Sequence, residues 1–471
     1  MNLDDTIVAI ATPAGRGGMG VVRLAGSEAR PIAEPMLRLR HPLERGRAVF
    51  GELVEPGSAT AQQVDPTADA QLASTTAGAR IDEVVVTYFQ KPYSYTADDI
   101  VEISAHGSPV VLRHILELAI DRGARLAEPG EFTMRAFLNG RIDLTQAEAV
   151  RDLIESQTLF QAKVAAQQLE GALAKRLQPV KQKLLELVAL LEAGIDFADD
   201  DVAVLPGEQI VKHIAEVRGP LEELARSFRY GKVVHEGMTL AIVGRPNVGK
   251  SSLFNRLIER ERAIVTASPG TTRDLVSETV ALGGIPVKLV DTAGIRQALD
   301  EAESLGIKKS MEALADADLV LVVLSASEPA VEEDRNLLEP LAGRAVIVVE
   351  NKIDLANSQF PVFSSQLPWV RTSALTGAGL IQLRSEILRQ IGGDAPGHAE
   401  MGFLTNVRHQ ALVRESMGGL ERATHAVKDR VPHEMLLLDL YGALRALDEL
   451  TGATTTDDIL NLIFSSFCIG K

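Results

Sequence analysis

Gly244-Arg245-Pro246-Asn247-Val248-Gly249-Lys250-Ser251 follows the apolar run Leu240 to Val243 and precedes a helix-like stretch, Ser252 to Ile258. The pattern G-x-x-x-x-G-K-S between a strand and a helix is that of a phosphate-binding loop. Its glycines let successive backbone N–H groups turn inward onto phosphate oxygens. Lys250 adds a point charge for the terminal phosphates, and Ser251 offers a hydroxyl to Mg²⁺. A nucleoside triphosphate is the implied ligand.

Working outward, Asp291-Thr292-Ala293-Gly294 closes a second apolar run, Val287 to Val290. Asp291 stands where a carboxylate reaches Mg²⁺ through water, and the Gly294 N–H where it can sense a γ-phosphate. A third run, Val346 to Val349, leads into Asn351-Lys352-Ile353-Asp354. A carboxylate at Asp354 can accept from both guanine N1–H and the exocyclic amine, a donor pair that adenine lacks, so the motif selects GTP over ATP. Ser373-Ala374-Leu375 can complete the base pocket with a backbone N–H toward the guanine oxygen.

Two features depart from the Ras-like pattern. Ile295 stands where a Ras-type protein carries the glutamine that orients water, and isoleucine cannot hydrogen-bond a nucleophile. The following loop, Arg296 to Gly306, holds three acceptors, Asp300, Glu301 and Glu303, which spacing alone does not rank. The second departure is Asn247, together with Ala263-Ile264-Val265-Thr266-Ala267-Ser268-Pro269-Gly270-Thr271-Thr272-Arg273-Asp274. Thr272 can supply a second protein ligand to Mg²⁺. The Asn247 oxygen, with backbone carbonyls, either surrounds a monovalent cation where other GTPases use an arginine finger or only stabilises the loop.

At 471 residues the chain is too long for one core, and three domains are expected. Its 46% hydrophobic and 24% charged residues are those of a soluble globular protein. No apolar run approaches a membrane span and Met1-Asn2-Leu3-Asp4-Asp5 is unlike a signal peptide, so no membrane association and a cytoplasmic location are expected. The single cysteine, Cys468, excludes an internal disulfide. A net charge of −16 argues against nonspecific nucleic-acid binding over the whole surface, so any RNA contact must be local or supplied by a partner.

The expected architecture is multidomain, α/β and α. Residues 1–139 mix strand-like runs (Thr6 to Ala11, Val21 to Leu24, Val84 to Tyr88) with a helix, Pro109 to Arg122, an α+β pattern. Within it, Pro56 to Arg80 is a low-complexity insertion. Residues 140–236 read as helical: Asp143 and Gln146 have capping-box spacing, Leu144, Ala147, Val150, Leu153 and Ile154 recur at helical intervals, and Pro179 fits a first turn or a kink. Residues 237–396 alternate strands with helices, as in a mostly parallel sheet, ending near the linker Gly392 to Gly397. Residues 397–471 are helical again, from Leu404 to Val427, Pro432 to Leu450 and Asp457 to Phe467. This predicts an all-helical domain, discontinuous in sequence, with a nucleotide-binding domain inserted into it.

The ordered GTPase motifs and the terminal Phe464-Ser465-Ser466-Phe467-Cys468-Ile469-Gly470-Lys471 resemble the MnmE (TrmE) family of tRNA-modification GTPases. Ala11-Thr12-Pro13 through Arg23, Tyr95 to Gly107, and Pro129-Gly130-Glu131-Phe132 through Ala149 match as well. The resemblance implies a homodimer joined by amino-terminal domains akin to folate-binding modules. It also implies a heterotetramer with the flavoprotein MnmG (GidA), tRNA as substrate, and an aminomethyl or carboxymethylaminomethyl group installed on C5 of wobble uridine U34. By motif position it assigns Arg23, Glu102, Arg141 and Lys471 to a tetrahydrofolate derivative, 5-formyl- or methylene-tetrahydrofolate; the family also has lysine where Arg141 stands. Cys468 is implied as a functional thiol. K⁺ falls to Asn247, Thr266, Ser268 and Thr271, and Mg²⁺ to Ser251 and Thr272. Among the three acids of the loop, Glu303 matches the glutamate that positions water. The GTP contacts implied are Asn247 to Ser252, Thr266 to Thr272, Asp291 to Gly294, Asn351 to Asp354 and Ser373 to Leu375. The competing reading, a ribosome-assembly or RNA-chaperone GTPase, usually carries an appended basic RNA-binding domain, which the acidic balance disfavours. A membrane-transport GTPase would need apolar spans.

Overall fold

The computed structural model describes residues 4–55, 78–196, 205–258, 277–291, 317–329, 331–338, 341, 343–355, 367–391, 402–454 and 456–470. The chain divides into two units, residues 1–151 with 454–471, and residues 152–453.

In the first unit burial alternates along the strands, so that Val84, Val86 and Tyr88, like Val101, Ile103 and Ala105, fall on one buried face. The strands are β1 (Ile7–Ile10), β2 (Gly17–Ala25), β3 (Leu37–Leu39), β4 (Ala48–Val54), β5 (Arg80–Phe89), β6 (Ile100–Gly107) and β7 (Arg125–Leu126). They form one sheet in the order β3-β4-β5-β6-β2-β1-β7. All its pairs are antiparallel except β1 with β7. The helix Pro109–Asp121 opens on Pro109, whose missing N–H costs nothing there. It lays Leu112, Ile115, Leu118 and Ala119 into the sheet's core. Of the expected insertion, 56–77 lie outside the described residues, and Arg80 already opens β5.

A buried ion network ties this unit together. On the helix Glu131–Leu138, Arg135 (1% exposed) donates to Glu131 (0% exposed) at 2.9 Å and to the Asp5 carboxylate at 2.6 Å. Arg125 donates to both acids at 2.6 Å. Burial pushes the Glu131 and Asp5 carboxyls up, but the guanidiniums bonded to them hold both below the usual range. Both acids titrate lower folded than unfolded, so their contribution is present above about pH 4, the unfolded carboxylate range, and is lost as the pH falls through the folded values. Arg135→Met leaves Glu131 short of a partner. It should lower the stability of this unit by about 1.5–3 kcal/mol, the loss of a hydrogen bond to a charged group, read as an earlier transition in urea unfolding, while an unchanged transition would show that Arg125 alone neutralises both acids.

The chain's tail packs within this unit. The helix Asp457–Ser465 packs on Glu131–Leu138, and Pro129 forms a β-bridge with Ile469. Gly130 makes the turn possible: its φ is 68°, and a Cβ there would lie 2.6 Å from the Phe464 carbonyl oxygen.

In the second unit, two sets of helices far apart in sequence share one core. Leu173 to Leu191 from Ala172–Asp196 and Ile210 to Phe228 from Gly207–Glu236 meet Leu412 to Ala423 from Val407–Lys428 and Leu436 to Leu450 from His433–Thr451. Pro179 sits well inside the helix Ala172–Asp196, not in its first turn. The flanking Leu177, Val180 and Leu184 are buried in the core, and their packing outweighs the one lost backbone bond. In the first unit, Asp143 and Gln146 exchange capping bonds, both 2.9 Å, at the start of the helix Leu144–Glu155, where Leu144, Ala147 and Val150 are buried while Ile154 is exposed. The helix expected from Leu404 starts at Val407, because the Asn406 side chain accepts the Arg408 N–H at 2.8 Å and caps it.

Between these sets runs a six-stranded sheet of β8 (Met238–Val243), β9 (Ser277–Leu282), β10 (Ile285–Asp291), β11 (Leu319–Ser325), β12 (Val346–Asn351) and β13 (Trp369–Arg371). Its order is β13-β12-β11-β8-β10-β9, parallel except for β9 at the edge. β11 and β12 are buried at every position, and accordingly residues 319–324 and 346–349 are apolar without a break. Among the described residues no helix is long and apolar enough to cross a membrane.

Candidate nucleotide site and amino-terminal cavity

The phosphate loop leaves the carboxyl end of β8, between β11 and β10, where open α/β sheets bind ligands. Both glycines are demanded by close approach. A Cβ on Gly244 (φ 154°) would lie 2.3 Å from the Val323 carbonyl oxygen, and one on Gly249 (φ 95°) 2.3 Å from the Asn351 amide nitrogen. Asn247 takes a left-handed turn at φ 63°, and it is exposed. Lys250, at the start of the helix Lys250–Ile258, is buried, and its Nζ donates to the carbonyls of Gly244 at 2.9 Å and Arg245 at 2.8 Å. The ammonium is thus held inside the ring of loop residues. The Arg245 Nε donates to the buried Asp334 at 2.7 Å, a tie that sequence reading missed.

The segments expected to read the base converge on the same loop. Asn351 ends β12, and its side-chain amide donates to the Val248 carbonyl at 3.0 Å while its oxygen accepts the Ala374 N–H at 3.0 Å. One side chain therefore joins the phosphate loop to Ser373-Ala374-Leu375. The Ser373 hydroxyl donates to Asp354, and Arg256 donates to the carbonyls of Ala374 at 3.2 Å and Leu375 at 2.9 Å. Lys352 adopts φ 65°. Asp291 closes β10 in register with Ile242 of β8. Thr266, Ala267, Ser268, Pro269, Gly270, Thr271, Thr272, Thr292, Ala293, Gly294, Ile295, Asp300, Glu301, Glu303 and Lys471 lie outside the described residues.

A second candidate site is a cavity of about 700 Å³ in the first unit, with Tyr93, Tyr95, Glu102, Asn139 and Arg141 on its wall. Arg23 faces Glu102 across β2 and β6, and its Nε donates to that carboxylate at 2.8 Å. The guanidiniums of Arg23 and Arg141 stand 5.7 and 5.4 Å from the Tyr95 ring centre. Burial pushes the Tyr95 hydroxyl up, and it is hydrogen-bonded to Thr133 at 2.8 Å. Three of the four positions expected to bind folate are thus gathered around one cavity. Cys468 is exposed, and its carbonyl accepts the Gly130 N–H at 3.4 Å.

Over 475 residues, 100% of both chains, the protein is 65% identical to the tRNA modification GTPase MnmE of Koribacter versatilis. The chain belongs to the MnmE family. The MnmE of Aquifex aeolicus is 42% identical over 469 residues, 99% of this chain and 100% of that one, and the MnmE of Acetivibrio thermocellus 39% over the full length of both. The MnmE helical-domain model matches residues 144–468, and the model of the GTP-binding protein TrmE N-terminus matches residues 6–141. The MnmE helical model thus runs across the sheet of the second unit as well as the helices on either side of it.

Proposed function

We propose that this chain, a GTP-hydrolysing enzyme of tRNA modification, uses GTP to drive the installation of an aminomethyl or carboxymethylaminomethyl group on C5 of wobble uridine U34, together with the flavoprotein MnmG. The observation that carries the GTP half is the Asp354 carboxylate, held by Ser373 on the segment that Asn351 ties to the phosphate loop. Ser251 and Thr272 would hold Mg²⁺, which when bound neutralises the phosphates. Asn247, Thr266, Ser268 and Thr271 would hold K⁺; among the described residues no group bonds the exposed Asn247 side chain, and a neutral amide oxygen suits a weakly hydrated cation. Glu303 would position the water.

In the first unit a tetrahydrofolate derivative fits the cavity in chemistry. Tyr95 offers a ring face, and no carboxylate among the described residues pairs with Arg141, whose guanidinium suits the ligand's carboxylate tail. Such a ligand supplies the one-carbon unit; Arg23, Glu102, Arg141 and Lys471 would bind and orient it. We further propose a cytoplasmic homodimer joined by the amino-terminal units, in which GTP and K⁺ draw two nucleotide domains together, and a complex with MnmG and tRNA. Nucleoside mass analysis of tRNA from cells lacking this protein should show U34 without the C5 group. Modification at wild-type levels would remove the proposal.

A further inference from the structure

A GTP-driven enzyme needs a joint through which its nucleotide sheet moves the helices beside it, and the second unit holds a built one. The hairpin of β9 and β10 is bracketed by nucleotide motifs: Gly270 to Asp274 precedes β9, and Asp291 ends β10. Its turn, Gly283-Gly284, lies at the opposite end, about 23 Å of extended chain from Asp291. There it meets the start of the helix Leu159–Leu169. The Thr158 hydroxyl donates to the Gly284 carbonyl at 2.6 Å, and Gly284 (φ 85°) presses on Phe160 so closely that a Cβ would lie 2.6 Å from the Phe160 Cβ.

Thr158 is itself the cap of that helix and accepts the Gln161 N–H at 3.1 Å. The Gln161 amide then donates to the carbonyls of Val234 at 2.8 Å and His235 at 2.9 Å. These are the last turn of Gly207–Glu236, which passes through Gly237 (φ 77°) directly into β8 and the phosphate loop. A Cβ on Gly237 would lie 2.7 Å from the Pro286 carbonyl oxygen of β10. Phe160, Val234, Ile285 and Phe403 fill the space between with one apolar cluster. Hairpin turn, helix cap and the entry to β8 are therefore one hydrogen-bonded unit.

We infer that Thr158 and Gln161 are positioning residues that transmit displacement of the β9–β10 hairpin, driven by the state of the nucleotide, to the helices of the second unit. This rests on the reading of the chain as GTP-driven. The test is hydrogen–deuterium exchange of the full chain with GDP and with a non-hydrolysable GTP analogue, followed at residues 161–169 and 228–236. The unsubstituted protein and Thr158→Ser, which keeps the hydroxyl, should show a nucleotide-dependent difference there. Thr158→Val should abolish that difference while GTP hydrolysis stays within about twofold of the parent. A merely structural role would change exchange equally in both nucleotide states. Gly284→Ala, which forces the turn off Phe160 without touching the cap, should act like Thr158→Val. A difference that persists in both variants overturns the joint alone; no difference in the unsubstituted protein overturns the joint and the GTP-driven reading together.

Discussion

An Asp354→Asn protein should bind GTP about 10³-fold more weakly, since two hydrogen bonds to a charged acceptor contribute about 1.5–3 kcal/mol each. Asparagine presents an N–H₂ where guanine also donates, so the loss includes a facing donor pair. Xanthine carries a carbonyl in place of the exocyclic amine and should gain what guanine loses. Competition of GTP, ATP and XTP against a fluorescent nucleotide measures all three at once. The geometry makes this a clean exchange of one atom type, because Ser373 already fixes the orientation of Asp354. If GTP affinity were unchanged, Asp354 would not be the base-reading residue, and the assignment of GTP over ATP would lose its physical basis.

Lys250→Ala should lower kcat/KM for GTP by about 10²–10³-fold, the usual loss when one preorganised charge is removed from a developing oxyanion. Its ammonium is already seated on the Gly244 and Arg245 carbonyls, so little reorganisation is needed before a phosphate arrives. Most of the effect should fall on kcat, with a smaller rise in KM. Single-turnover hydrolysis with pre-bound GTP separates the two. A mutant that binds weakly but hydrolyses at the parental rate would make Lys250 a binding residue only.

The phosphate loop was legible because its constraints are local. Gly244 and Gly249 stand at positive φ and against neighbouring atoms, and only glycine meets both demands. The strands β8, β10 and β12 read correctly for a similarly local reason, as short apolar runs inside a parallel sheet. Partners distant in sequence did not read. Nothing near Arg245 names Asp334, and nothing near Arg256 names the carbonyls it holds beyond Thr372. The Thr158–Gln161 capping box was within reach, since T-x-x-Q ahead of an apolar run is its signature. A first turn and a kink were both open to Pro179 locally, and the burial of its neighbours decided for the helix interior. Helical periodicity also says what a segment forms and not where it docks: nothing near Asp457–Ser465 names the helix Glu131–Leu138 on which it packs.

That docking has a consequence for how the protein is made. The sheet of the first unit and the turn at Gly130 emerge early in synthesis, yet Phe464, Phe467 and Ile469, which close over that turn, emerge more than three hundred residues later. A chain interrupted before residue 456 would leave the turn at Pro129 and Gly130 without its partners. The contacts of Gly130 with Phe464 and Phe467 can therefore form only after the nucleotide-binding part has been synthesised, so this corner of the first unit closes last.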